Sequence, residues 1–350
     1  MKIKRIGIIG LGMIACGRHI PELKNVKECK ITAICDIDEN KLNSVGDSLD
    51  IPSEFRFTDY NDLINCNEVD AVEICTPNHL HIPMATAAVK AHKPFNLEKP
   101  ISINLNECKP LELAIKENAV PNMMSFTYRF MPAIRYAKWI IDNGHIGDVL
   151  NVDVEYLKDS GFIEGRRLEW RFEKGKAGTG VLGDLGVHLI DMAELLGGKI
   201  TSVCGMTDII VKERKRLDSE EIAPVETDDY CSFICTMKNG VKGNFVISRC
   251  AIGMGNSIKF DVYGTKGVIC FDMNNPNVLG VYSKISDISK DKLQTIDVPQ
   301  NFHTTQEAEF IKMLCGEHCN IFPTVEDGLR SQKILDAILE SSEKRCWVDI

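Results

Sequence analysis

Gly10-Leu-Gly12-Met13-Ile14-Ala15 stands directly after the apolar run Ile6 to Ile9 and leads into a helix-like segment. Few short sequences restrict a fold as much in that position. A glycine turn between a buried strand and a helix fits the first unit of a doubly wound parallel sheet, and the next apolar run, Ile31 to Cys35, ends on the acidic Asp36. Gly10 permits the tight turn, Gly12 lets backbone approach a pyrophosphate with no Cβ in the way, and Ala15 keeps the helix close to its strand. Free N–H groups at the helix start, around Met13 and Ile14, join the positive end of the helix dipole in meeting phosphates. Asp36 follows the turn by roughly 20 residues, the usual distance for a carboxylate that accepts hydrogen bonds from an adenosine ribose. A carboxylate there repels a 2′-phosphate, so NAD is expected in preference to NADP.

A chain of 350 residues exceeds the length at which one core usually stays undivided. Two domains are expected, residues 1–123 and 124–350. No apolar run approaches the roughly 20 residues a membrane helix needs, and the start has no signal-peptide pattern, so a cytoplasmic protein with no membrane partner is expected. The net charge of −9 offers no basic face for nucleic acid. Fourteen cysteines are scattered, many inside apolar runs, with no paired C-x-x-C; they read as reduced, buried, small hydrophobes. The densest cluster, Cys315-Gly-Glu-His318-Cys319, lacks a second pair at zinc-like spacing, so no metal is expected.

Along the first portion, short apolar strands alternate with helical stretches: Arg5 to Gly10, Ile31 to Asp36, Ala71 to Cys75 and Phe95 to Leu97. A short helix is expected from Asp59, and another over Pro83 to Ala91 with proline in its first turn. After about Met124 longer strand-like runs succeed one another: Val149 to Leu157, Val203 to Val211, Tyr230 to Met237, Val241 to Cys250, Ser257 to Tyr263 and Gly267 to Asp272. Turns such as Lys238-Asn-Gly join them, as in a mostly antiparallel sheet. Two helices close the chain, capped by Thr304 and Thr324.

Oxidising a secondary alcohol releases a hydride and a proton, so a nicotinamide needs a proton-moving partner. Lys99, in Glu98-Lys99-Pro100, follows the strand-like Phe95 to Leu97 and so lies at a carboxyl strand end, where ligands of open α/β sheets bind. A Lys-Pro bond also permits a cis peptide. A lysine is a poor base at neutral pH unless its charged form is disfavoured, which burial and a positive nicotinamide ring would both do. Asp184 and His188 stand four apart after the glycine-rich Gly178-Thr179-Gly180; on a helix they share a face one turn apart. A carboxylate beside an imidazole can hold a hydroxyl and pass its proton near neutral pH.

Taken together, these motifs resemble those of the glucose-fructose oxidoreductase and inositol dehydrogenase (Gfo/Idh/MocA) family over nearly the whole chain. They comprise Gly10-x-Gly12-x-x-Ala15, Cys35-Asp36, Thr76-Pro77-Asn78-His79-Leu80-His81, Glu98-Lys99-Pro100, Tyr128-Arg129-Phe130 with Pro132, and Gly178-x-Gly180 leading to Asp184-x-Gly186-x-His188. The resemblance implies an α/β fold: an N-terminal Rossmann doubly wound parallel sheet plus a C-terminal α+β domain with a large, mostly antiparallel open sheet. It implies that Lys99, Asp184 and His188 are catalytic, with His188 or Lys99 taking the hydroxyl proton and Asp184 orienting imidazole and substrate. Thr76, Pro77 and Asn78 would pass beside the nicotinamide ribose, Glu98 would contact the cofactor side, and His81 would be structural or near the cofactor. Tyr128 and Arg129 are pocket candidates by resemblance. Trp170, which could stack on a sugar, and Arg171, which could pair with a carboxylate, are candidates from their residue types. Two positions depart from the family pattern, Thr179 and His92, the latter where a helix-ending glycine is usual.

The expected activity is NAD-dependent dehydrogenation of a ring secondary alcohol of a sugar, cyclitol or glycoside, with NAD either released or kept bound and recycled by a second carbonyl compound. An NAD-dependent glycosidase acting by oxidation and elimination is the alternative, and a non-catalytic cofactor-binding sensor the third. The family further implies a homodimer or homotetramer.

Overall fold

A computed structural model describes residues 3–289, 292–317 and 321–350. Contacts divide the chain into two compact units, Met1–Ser125 with Thr305–Leu329 and Phe126–Thr304 with Arg330–Ile350. The boundary expected at 123/124 falls just short of this one, and that expectation did not place Thr305–Leu329 with the first unit. The reason is side-chain chemistry: the helix Gln306–Leu314 buries Gln306, Glu307, Phe310 and Ile311, Pro323 O accepts from Met124 N (2.9 Å), and Asn122 Oδ1 accepts from Val325 N (2.8 Å).

The first unit is built on six parallel strands, β1 (Lys4–Ile9), β2 (Cys29–Cys35), β3 (Arg56–Phe57), β4 (Ala71–Ile74), β5 (Phe95–Leu97) and β6 (Asn122–Met124), in the order β3-β2-β1-β4-β5-β6. Ile6, Ile8, Ile9, Val72, Ile74, Phe95 and Leu97 are all essentially buried, as strands covered on both faces require. The order reverses between β1 and β4, and such a switch point opens a crevice at the carboxyl ends of the strands. Asp38 and Asp59 cap the helices Glu39–Ser48 and Tyr60–Asn65 by accepting from backbone N–H groups. The helix His81–Lys90 ends at Ala91, and His92 takes φ +53°, the left-handed conformation for which glycine is the easier residue.

The second unit holds a nine-stranded sheet: β7 (Val149–Lys158), β8 (Ile200–Asp208), β11 (Tyr230–Met237), β12 (Lys242–Ser248), β13 (Asn256–Gly264), β14 (Gly267–Asp272), β15 (Val278–Ser283), β16 (Gln294–Asp297) and β17 (Val348–Asp349). A separate hairpin pairs β9 (Glu213–Lys215) with β10 (Ile222–Pro224). The large sheet runs β16-β15-β14-β13-β7-β12-β11-β8-β17, antiparallel except between β7 and β12. Along β12 the alternation is regular: Gly243, Phe245 and Ile247 are buried while Lys242, Asn244 and Val246 are exposed. Helices Pro132–Asp142 and Val187–Gly197 pack on this unit's strands. Between β11 and β12, Asn239 (φ +64°) and Gly240 (φ +80°) form the turn that Asn-Gly favours.

Thr305 rather than Thr304 caps the helix Gln306–Leu314, accepting from Ala308 N at 3.2 Å, whereas Thr324 directly precedes Val325–Lys344 as expected. No described helix is long and apolar enough to cross a membrane.

Candidate functional site

In the first unit the glycine turn closes as its sequence demands. Gly10 takes φ +88°, and a Cβ there would stand 2.8 Å from Cys75 O, so only glycine fits. A Cβ at Gly12 would meet nothing within 4 Å, leaving that backbone open to a ligand, while Ala15 is fully buried against the sheet. Met13 is 80% exposed and Ile14 38%, so this rim faces outward. Asp36 accepts from Leu11 N (2.8 Å) and Asp38 N (3.0 Å), with Lys41 Nζ 3.4 Å away. The turn and the acidic residue that sequence spacing paired are therefore in direct contact. An open cradle of backbone beside a fixed carboxylate fits the pyrophosphate and ribose of a dinucleotide.

Two loops at neighbouring strand ends are joined by one ring. His81 is fully buried, its Nδ1 2.7 Å from Pro100 O and its Nε2 2.8 Å from Thr76 O, which ties the loop after β4 to the loop after β5. His81 thus holds these two loops to each other. Asn78 is buried in the first of these loops, where Pro77 precedes a short 3-10 turn, and Thr76 Oγ1 contacts Met84 Sδ. In the second, Lys99 is half-buried, its bond to Pro100 is cis, and its backbone N donates to Glu98 Oε2 at 3.1 Å.

In the second unit the Gly178–His188 segment departs from the helix that its spacing suggested. Leu182–Gly186 form a π-helical turn, and the α-helix Val187–Gly197 begins only after it. Asp184 and His188 therefore straddle a widened turn, a feature that recurs at functional sites. Asp228, buried, holds the lead-in: its Oδ1 accepts from Gly180 N (2.6 Å), its Oδ2 from Leu182 N (2.8 Å) and its backbone O from Val181 N (2.9 Å). Burial pushes the Asp228 carboxyl up from its ordinary value, and the N–H groups of Gly180 and Leu182 oppose that rise.

His188, 8% exposed, lies with its ring 4.5 Å from Tyr128, whose hydroxyl is 2.8 Å from that of Tyr156. Burial first, then Tyr128 and the Asp184 charge, hold the Tyr156 phenol well above its usual range. Tyr128, Tyr156, Asp184 and His188 thus form one cluster. Tyr156 and Asp228 were not singled out from sequence. The signal for Tyr156 was its alternation with Val152 and Val154 on the inward face of β7; for Asp228 it was an acidic pair, Asp228-Asp229, before an apolar strand.

Residues 4–126 match the NAD-binding Rossmann fold of the oxidoreductase family, and residues 134–270 match the Gfo/Idh/MocA C-terminal domain. The chain belongs to the Gfo/Idh/MocA oxidoreductases. It is 31% identical to levoglucosan dehydrogenase of Pseudarthrobacter phenanthrenivorans, over 84% of this chain and 83% of that one. It is 27% identical to glucose-6-phosphate 3-dehydrogenase of Bacillus subtilis, over 97% of this chain and 96% of that one. A solved structure of levoglucosan dehydrogenase with NADH and L-sorbose superimposes with a TM-score of 0.89 at 28% identity, covering 100% of this chain and 99% of the other.

Several candidates have structural occupations in this Gfo/Idh/MocA chain. Arg129 is buried and clasps Asp191, with Nε 2.9 and 2.8 Å from the two carboxylate oxygens and Nη2 2.6 Å from Oδ1, so its charge is spent inside the protein rather than offered to a pocket. Arg171 lies over the Trp170 ring at 4.5 Å and 3.7 Å from Glu169, which covers a face on which a sugar was expected to stack. Arg166 and Arg167, in the same segment, pair with Glu169 and Glu220. The Cys315 cluster falls partly on His318 and Cys319, which lie outside the described residues.

Proposed function

We propose that this oxidoreductase uses NAD, in preference to NADP, to oxidise a ring secondary alcohol of a sugar, cyclitol or glycoside. The observation that carries the chemistry is the cluster that Asp184 and His188, on and just after the turn held by Asp228, make with Tyr128 and with Tyr156 of β7. An imidazole beside a carboxylate and a phenol is equipped to bind a hydroxyl and receive its proton. The named relatives, levoglucosan dehydrogenase, glucose-6-phosphate 3-dehydrogenase and the myo-inositol 2-dehydrogenase of Thermotoga maritima, support a polyhydroxylated ring as substrate.

Gly10, Gly12, Met13, Ile14 and Ala15 would hold the pyrophosphate, Asp36 the adenosine ribose, and Thr76, Pro77, Asn78, Glu98 and Lys99 the nicotinamide end, with His81 bracing the last two loops. Bound nicotinamide supplies the hydride acceptor. His188 or Lys99 takes the hydroxyl proton, and Asp184 orients the imidazole and the substrate. The exposed face of the large sheet carries Met206, Ile234 and Val246 on adjacent strands, which supports pairing with a second copy of the chain as a homodimer or homotetramer. The thirteen free cysteines among the described residues suit the reducing cytoplasm.

A screen of sugars, cyclitols and glycosides with NAD and NADP, with and without an added keto acceptor, tests the reading. NADH formation, or turnover that needs the acceptor when NAD stays bound, is expected; release of aglycone without net NADH would replace it with the glycosidase. Lys99→Met should abolish turnover while NAD still binds, and a variant keeping most of its activity would remove Lys99 from the catalytic group.

A further inference from the structure

The first unit buries three carboxylates and a thiol around one imidazole. His19 is fully buried, with Nδ1 2.7 Å from Glu307 Oε1 and 3.6 Å from Glu73 Oε2, and Nε2 3.0 Å from Glu98 Oε1. Cys75 Sγ, a ring nitrogen of His19 and a carboxylate oxygen of Glu73 lie within 4.8 Å of one another. Amides and a hydroxyl close the rim. Gln306 Nε2 donates to Glu307 Oε1 and to Ser125 Oγ, both at 3.2 Å; Ser125 Oγ donates to Asn96 Oδ1 (3.3 Å) and Asn96 Nδ2 to Glu73 Oε2 (2.8 Å).

A neutral imidazole has one N–H and one bare lone pair. With a carboxylate oxygen at each nitrogen, the bare one would face an anion in a dry interior, whereas an imidazolium donates to both. Burial alone would lower the His19 pKa, yet the net value lies well above the ordinary one, and with Cys75 a neutral thiol it is the Glu307 carboxylate, 2.7 Å from Nδ1, that holds the proton there. Burial and the neighbouring Glu307 push Glu73 up, so Glu73 holds its proton. Cys75 and Cys29, pushed up to about 11 and about 12 by burial, stay thiols at neutral pH, and Glu22 is paired with Arg18 at 3.1 Å. His81 and Lys99 adjoin Glu98. The imidazolium stands between two carboxylates, Glu98 and Glu307, and Glu98 carries its negative charge with it.

Glu98 brings that charge to the carboxyl end of β5, beside the switch point where ligands of such sheets bind. Both of its oxygens are fixed, Oε1 by His19 and Oε2 by the Lys99 backbone N. His19 itself closes the π-helical turn Ala15–His19 that follows the glycine turn.

We propose that His19 is a positioning residue for cofactor binding: as a buried imidazolium it keeps Glu98 ionised and in one orientation, so that the site favours the positive, oxidised nicotinamide over the reduced one. This rests on the NAD reading above. Without the His19 charge, Glu98 stands among Glu307 and Glu73 and takes up a proton, losing the charge that it offers the ring.

Titrations of the full-length protein with NAD and with NADH, followed by calorimetry, test the proposal. His19→Asn and Glu98→Gln should each weaken NAD by about tenfold or more while NADH changes by less than about twofold, and the double variant should be no worse than Glu98→Gln alone. Equal losses for both cofactor forms, or no loss, would overturn it while leaving the NAD reading intact; a wild-type protein that binds neither form would overturn both. If His19→Asn does not fold, nitrogen NMR of ring-labelled wild-type protein decides. Both His19 ring nitrogens should stay protonated where an exposed histidine has already lost its proton. A neutral tautomer at pH 7, or one zinc ion per chain bound at His19 and Cys75, would overturn the proposal.

Discussion

Gly180 has no room for a side chain. A Cβ built there would stand 1.8 Å from Asp228 O, 2.7 Å from Asp228 C and 2.6 Å from Arg249 Nη2. The guanidinium tip can swing aside, but the Asp228 backbone is held by Val181 N and by Arg249 Nη2, each at 2.9 Å. Carbon contacts begin at about 3.5 Å, so Gly180→Ala must displace the turn by on the order of 1.5 Å. That shift breaks the bonds from Gly180 N and Leu182 N to the Asp228 carboxylate, at about 1.5–3 kcal/mol each. It also carries Asp184 and His188 away from their places. Misplacing reacting groups by about 1 Å costs roughly a hundredfold, or about 2.7 kcal/mol of barrier. The expected outcome is a kcat/KM lower by at least about a hundredfold on the substrate found by screening, and a melting temperature lower by about 5–10 °C. NAD affinity, measured by calorimetry, should be unchanged, because the glycine turn belongs to the other unit. Gly175→Ala is the control: its Cβ meets nothing within 4 Å, and activity should be kept. A Gly180→Ala enzyme of full activity and unaltered melting would refute the account of the turn.

Three further outcomes are expected. Asp36→Ser should raise kcat/KM with NADP relative to NAD by at least about tenfold, because it removes the charge that repels a 2′-phosphate; an unchanged ratio in steady-state assays would separate Asp36 from cofactor choice. Arg129→Met should cost about 3–5 kcal/mol in chemical denaturation, because it takes the bidentate guanidinium away from the buried Asp191 carboxylate, and adding Asp191→Leu should recover most of the loss. A silent single variant would contradict that pairing. In native protein, mass spectrometry after a thiol reagent should find Cys16 and Cys346, the exposed pair among the described cysteines, labelled within minutes; Cys35 and Cys235, both pushed up to about 12 by burial, should label only after unfolding. Saturating NAD should slow labelling of Cys16, next to Ala15.

What was legible in the sequence followed from local pattern. β1, β2, β4 and β5 announce themselves as continuous apolar runs because both faces are covered, and β11 to β14 as alternating runs joined by glycine turns. β3 is only Arg56–Phe57, half-buried, and too short to carry a period; β6, Asn122–Met124, is scarcely longer. The π-turn at Leu182–Gly186 lay beyond reach because a spacing of four reads as an α-helical turn whichever ladder forms. Asp228 and Asp191 were missed for a different reason. Each acts on a partner far along the chain, and periodicity tells which face a residue takes but not what it meets there. Arg129 shows the cost of that gap: an arginine in a matching motif reads as a ligand contact until its buried carboxylate is seen.

His81 has a consequence for change in this protein. Because one ring spans the loops after β4 and β5, those loops form a single mechanical part, and a substitution that suits one disturbs the other. Variation that preserves the cofactor face has few independent positions there. The second unit, with its half-buried Trp170 and Arg171 segment on a short 3-10 turn, is freer to vary. Substitutions should be tolerated in that segment more readily than at the His81 clamp.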